Sequence, residues 1–136
     1  MDFDVAREFI AANHHAVLAT HRRDGRPQLS PVACGVDADG RVVVSTRETA
    51  VKTKNARRDP NVSLCVLPDA FFGGWVQVEG RAEVVSLPDA MEPLVDYYRS
   101  ISGEHPDWDE YRAAMEQERR VILRIQIERA GPDTSG

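Results

Sequence analysis

Two tight-turn signals constrain this chain most. Asp24-Gly25 and Asp37-Ala38-Asp39-Gly40 each separate stretches rich in valine, alanine and threonine. Asp-Gly between alternating apolar stretches is a strong hairpin signal, and strands joined by a few residues pair antiparallel. His15–His21, Gln28–Val36 and Arg41–Ser45 therefore read as consecutive strands. Pro31 forces either a bulge or an edge position, because it has no N–H for a ladder. Further along, Asn61–Leu67, Trp75–Ser86 and Arg119–Arg129 also read as strands. In the last of these Val121, Leu123, Ile125 and Ile127 alternate with Ile122, Arg124, Gln126 and Glu128.

Helices fill the remaining stretches. Phe3–Ala12 has an Asp cap and places Val5, Phe9 and Ile10 on one face. Thr46–Arg58 begins with the capping-box pattern Ser45-x-x-Glu48 and stops before Asp59-Pro60. A third helix opens at Leu87-Pro88-Asp89 and runs to Ile101. Gly103-Glu104-His105-Pro106 breaks it, and Asp107 or Asp109 caps a fourth through Met115. The expected fold is mainly β with short helices (α+β), an antiparallel sheet closed into a small barrel to remove its edges. Residues 1–130 form one domain, and 131–136 a frayed tail. The few short helices leave one apolar face uncovered, as in many homodimers.

Composition excludes several functions. A net charge of −5 provides no basic surplus for a nucleic-acid partner. No apolar run reaches the roughly 18 residues of a membrane span. The acidic, amphipathic start does not read as a signal peptide, and Cys34 and Cys65 read as reduced thiols, so a cytoplasmic location is expected. His14, His15, His21 and His105 lack partners at ligand spacing, so no metal site is expected. No nucleotide loop or nucleophile motif occurs, and no catalytic residue is assigned. A bound cofactor would have to carry any reaction.

One segment carries candidate chemistry. The only two lysines, Lys52 and Lys54, lie in Ser45-Thr46-Arg47-Glu48-Thr49-Ala50-Val51-Lys52-Thr53-Lys54-Asn55, between a strand and a helix. Helix N-termini carry unpaired N–H groups and a positive dipole end, which suit phosphate. Ser45, Thr46 and Thr53 add hydroxyls, while Arg47 and Lys52 add charge. Lys52 and Asn55 share a helix face. The residues alone leave two readings open, a phosphate cradle and a capped, solvated helix.

Four stretches bring in a resemblance. Val17-Leu18-Ala19-Thr20 with Asp24-Gly25-Arg26-Pro27-Gln28-Leu29-Ser30, Lys52–Pro60, Glu79-Gly80-Arg81-Ala82, and Tyr98-Arg99 with Gly103–Arg112 follow one another in order. Together they resemble the pyridoxamine-phosphate-oxidase-like proteins of the FMN-binding split-barrel fold. Within them they resemble the actinobacterial deazaflavin reductases that use coenzyme F420. The resemblance implies a split-barrel homodimer with a cofactor cleft at each end of the interface. It implies that Lys52 binds the cofactor phosphate, helped by Thr53 and the backbone of Ala50 and Val51. Gln28, Leu29 and Ser30, with Ser45 and Thr46, would line the deazaflavin, and Trp75, or Phe72 beside it, would come from the second subunit. One position departs from the pattern. A second basic residue often stands two before the lysine, where this chain has Ala50, and Arg47 is the candidate to compensate. The implied activity is hydride transfer from reduced F420 to an electron-poor unsaturated small molecule. An FMN-binding oxidoreductase of the same fold and a non-catalytic cofactor carrier are the alternatives.

Overall fold

A computed structural model describes residues 1–133. In chain order it contains α1 (Phe3–Ala12), β1 (His15–His21), β2 (Pro27–Val36), β3 (Val42–Arg47) and α2 (Val51–Arg58). These are followed by β4 (Asn61–Leu67), β5 (Val76–Val85), α3 (Met91–Ser102), α4 (Trp108–Gln117) and β6 (Arg120–Gly131). The strands close into an antiparallel barrel in the order β1-β2-β3-β6-β5-β4. The hairpins form neighbours, as the short turns require, and β6 closes the barrel by pairing with both β3 and β5.

The barrel is loosely joined at one seam. Only Cys34–Val36 of β2 pair with β3, whereas Pro27–Ala33 pair with β1 alone. Pro31 sits in that one-sided stretch, in register opposite Val17, so the edge position holds and no bulge forms there.

Strand alternation builds two cores. Val42, Val44, Leu123 and Ile125 point into the barrel with Leu18, Leu64, Val66 and Val78, and α1 closes one end with Ala6 and Ile10. Val43 and Ile122 point outward and are covered by Leu94 and Val95 of α3 and Tyr111 and Met115 of α4. This explains why Val121-Ile122-Leu123 is apolar without a break: both faces of β6 are buried there. The outer face of β1 and β2 is different. Leu29 is 61% exposed, and Pro31, Val17 and Ala19 also retain exposure.

Several boundaries differ from the sequence reading. Val5 faces solvent, and Ala6 and Ile10 are the buried residues of α1. The Ser45–Glu48 capping box does not form. β3 continues through Arg47, with Ser45 opposite Ile122 and Thr46 opposite Val121, and α2 begins at Val51. Ladder bonds and the burial of Thr46 override the local cap preference. α4 continues to Gln117 beyond the expected Met115. The expected tail is structured at its start, since Gly131 pairs with Gln77; residues 134–136 of that tail lie outside the described residues. Among the described residues, no helix is long and apolar enough to cross a membrane, and no cluster could hold a metal ion.

Candidate functional site

Helix α2 is attached to the barrel by polar groups. The buried polar side chains Thr20, Thr46, Thr53 and Asn55 take part in this attachment. Asn55 Nδ2 donates to Thr20 Oγ1 at 3.1 Å, and Thr20 donates on to Gln28 Oε1 at 3.3 Å. Arg58 Nη2 donates to Asn55 Oδ1 at 2.9 Å and to the His21 carbonyl at 2.7 Å. At the other end, Thr53 Oγ1 donates to the Arg47 carbonyl at 2.6 Å and lies 3.4 Å from Thr46 Oγ1. Glu48 accepts from Ser86 Oγ at 3.0 Å and pairs with Arg57. Buried polar groups must be paired, so this ladder fixes the helix on β1 and β3.

The ladder separates the candidate residues by task. The side chains of Thr53 and Asn55 are committed inward and position α2, where the sequence reading had them reach a ligand. Ala50 also differs from expectation, because its N–H already donates to the Arg47 carbonyl at 3.1 Å. Val51 and Lys52, at the open end of the helix, have no backbone acceptor for their N–H groups among the described residues. Thr46, near the end of β3, meets α2 through Thr53, and Ser45 precedes it on the opposite face of the strand.

Lys52 is the charged group at that open end. It is half-buried and has no ion pair among the described residues. Burial first, and then the like charge of Arg120, hold its ammonium below the ordinary lysine value. A partly desolvated cation beside a second cation is stabilised by an anion. The residues present therefore fit a phosphate-bearing cofactor, with Lys52 and the free N–H groups of Val51 and Lys52 as its donors.

The other candidates lie apart from this point. Leu29 is exposed on β2, and the hydroxyl of Ser30 next to it is buried without a partner. Trp75 precedes β5, whereas α2 lies near the opposite end of that strand, where Arg57 bonds Ser86 Oγ and Ala82 N donates to the Pro60 carbonyl. Within one subunit Trp75 does not meet Lys52. It borders a separate cavity of about 310 Å³ with Gln77, Glu79 and Arg129.

The Gly103–Arg112 motif forms the brace between α3 and α4. Glu104 accepts from Trp108 Nε1 at 3.0 Å and from Arg99 Nε at 2.9 Å. His105 Nδ1 accepts from Asp107 N at 2.9 Å, and Asp107 caps α4 through Glu110 N. Tyr111 OH donates to the Leu94 carbonyl at 2.8 Å. Sequence reasoning missed Arg120 and Glu118. Their only signal was a basic pair, Arg119-Arg120, at the foot of a strand.

The Asn55 anchor carries a direct expectation. Asn55→Ala removes a buried donor and acceptor and leaves Thr20 and Arg58 short of a partner, at a cost of about 1–3 kcal/mol. Urea denaturation should show a lower midpoint with an unchanged slope, and an unchanged midpoint would refute the anchoring role.

Comparison with known proteins adds independent observations. The profile of a family described as pyridoxamine 5'-phosphate oxidase matches residues 3–132. The F420H(2)-dependent biliverdin reductase of Mycobacterium tuberculosis (strain CDC 1551 / Oshkosh) is 30% identical over 126 residues, covering 93% of this chain and 84% of that protein. The solved structure of conserved hypothetical protein Rv2991 from Mycobacterium tuberculosis aligns with a TM-score of 0.77 and 26% identity, covering 100% of this chain and 92% of that one. A structure named F420 reductase aligns with a TM-score of 0.70 over 92% of this chain and 94% of its own, and at 20% identity that likeness is one of fold.

Proposed function

This chain belongs to the pyridoxamine 5'-phosphate oxidase family, and on that premise we propose that it is an F420H2-dependent reductase acting on an electron-poor unsaturated small molecule. The observation that carries this reading is Lys52, an unpaired and partly desolvated cation at the open end of α2. The relative named F420H(2)-dependent biliverdin reductase supports the choice of cofactor.

When bound, the reduced deazaflavin supplies a hydride. The protein's part is to bind, orient and exclude water. Lys52 and the N–H groups of Val51 and Lys52 hold the phosphate, and the polar ladder beneath α2 keeps them in place before the ligand arrives. Gln28, Leu29 and Ser30 on β2, with Ser45 and Thr46 on β3, border the ring. Trp75 of a second subunit covers it, since Trp75 of the same subunit lies at the other end of β5.

A homodimer is part of this proposal. The outer face of β1 and β2 supplies the apolar surface, with Leu29 at its most exposed point. In a monomer Leu29→Glu would cost little, because the side chain already meets water. In a dimer it buries a charge. The variant is therefore expected to run as a monomer in light-scattering chromatography and to bind F420 at least about tenfold more weakly, the scale of a tightly packed interface residue. A variant that stays dimeric would remove this face from the interface.

Fluorescence titration of F420 and of FMN against the purified protein tests the cofactor. F420 should bind and FMN should not. Yellow flavin retained through purification would overturn the choice in favour of FMN. Oxidation of F420H2 is then followed with biliverdin as the first acceptor. Tight binding with no turnover on any electrophilic acceptor would make the protein a carrier.

A further inference from the structure

We infer that Arg120, from the closing strand β6, is a second cationic contact, beside Lys52, for the cofactor's anionic tail. This rests on the F420 reading of the same site.

Backbone geometry brings Arg120 to the start of α2. Arg120 is the register partner of Arg47 at the end of the β3–β6 ladder. The Arg47 carbonyl is the point where α2 docks, accepting from Ala50 N at 3.1 Å and Thr53 Oγ1 at 2.6 Å. Glu48 N donates to the Arg119 carbonyl at 2.8 Å, which ties the linker before α2 to the residue beside Arg120.

Side-chain geometry leaves Arg120 fixed but incompletely paired. Its Nε and Nη2 donate to one oxygen of Glu118, Oε1, at 3.2 and 2.9 Å. Arg47 Nη2 donates to the same oxygen at 3.2 Å. Arg120's hydrogen bonds, with help from Arg47's, hold the Glu118 carboxyl below its ordinary range, so it stays ionised. Arg47 and Arg120 thus share one carboxylate, Lys52 pairs with none, and Nη1 of Arg120 has no protein acceptor among the described residues. Arg47 is more exposed than Arg120, with side chains 57% and 27% accessible. Arg120 is therefore the better fixed of the two, and it is also the cation whose charge reaches Lys52. Arg47 is left as a peripheral charge, in place of the compensating role first expected for it.

The test measures F420 affinity for the intact protein and its Arg120→Gln, Arg120→Lys and Lys52→Ala variants. Each is also titrated with a deazaflavin that lacks the phosphate-bearing tail. Arg120→Gln should weaken F420 binding about tenfold and reduce its salt dependence, as loss of one charged contact does. It should leave the tail-less deazaflavin unchanged within about twofold, and Arg120→Lys should recover most of the loss. Equal weakening of both ligands would show that Arg120 only supports the fold, and would overturn the inference. Weakening by Lys52→Ala but not by Arg120→Gln would also overturn it while leaving the site intact. If neither variant affects F420, the site reading itself fails. Should Arg120→Gln misfold, Arg120→Lys still decides, because tight F420 binding with the wild-type salt dependence is required of it.

Discussion

Lys52→Ala is expected to weaken F420 binding by about 1.5–3 kcal/mol, the scale of a charged hydrogen bond, or roughly 10- to 150-fold in Kd. Folding should not be weakened, since the ammonium has no ion pair among the described residues to lose and its burial beside Arg120 is a cost. The pH dependence identifies the same group. Burial and Arg120 lower the Lys52 pKa in the free protein, so its charge is lost earlier on the alkaline side than an ordinary lysine's would be. Wild-type affinity should therefore fall as pH rises through that lowered value, and the Ala variant should lack this alkaline arm. The free protein responds in the opposite sense. A lysine whose pKa is lower folded than unfolded makes folding less favourable while it is charged, and the penalty fades as pH rises. An anion bound at Lys52 reverses the shift and takes up protons. Isothermal titration in two buffers of different ionisation enthalpy measures that uptake. Unchanged affinity in Lys52→Ala would remove the phosphate from this site.

Gly80→Ala is expected to give the largest loss of stability. A Cβ at Gly80 would lie 2.1 Å from the Gln126 carbonyl oxygen and 2.9 Å from its carbon, both backbone atoms of the facing strand. The register shifts here: Glu79 is opposite Arg129 and Gly80 opposite Ile127, so β6 bulges against β5. Backbone in a barrel wall cannot step aside as a side chain can. The cost should be at least ~3 kcal/mol, above the usual range for overpacking. Thermal unfolding should fall by about 10 °C for a domain of this size. A melting temperature within about 2 °C of wild type would show that the strands can separate locally. The Glu79-Gly80 motif is thus explained by a close approach of two strands.

The turns and alternation predicted β1, β2, β4 and the helices well, because those elements are specified by neighbours in sequence. Asp24-Gly25 and the residue before Pro60 act over a few bonds and are legible there. The start of α2 was not. Ser45 and Glu48 look like a cap, yet Ser45 pairs with Ile122 from the far end of the chain and Glu48 pairs with Arg57. A distant ladder outweighed a local preference. At the site, Lys52 was legible because a lone lysine pair follows a strand. Spacing cannot show which way a polar side chain turns: it offers Asn55 and Thr53 as ligand donors, and both turn toward the barrel. Arg120 was invisible because its importance comes from lying opposite Arg47, a pairing across more than half the chain.

The strand that closes the barrel is also the last barrel strand to leave the ribosome. Until Gly131 emerges, β3 and β5 each present an open edge, and the docking point of α2 at Arg47 lacks its neighbour on β6. The attachment point of α2 is therefore incomplete while only the first five strands have been made.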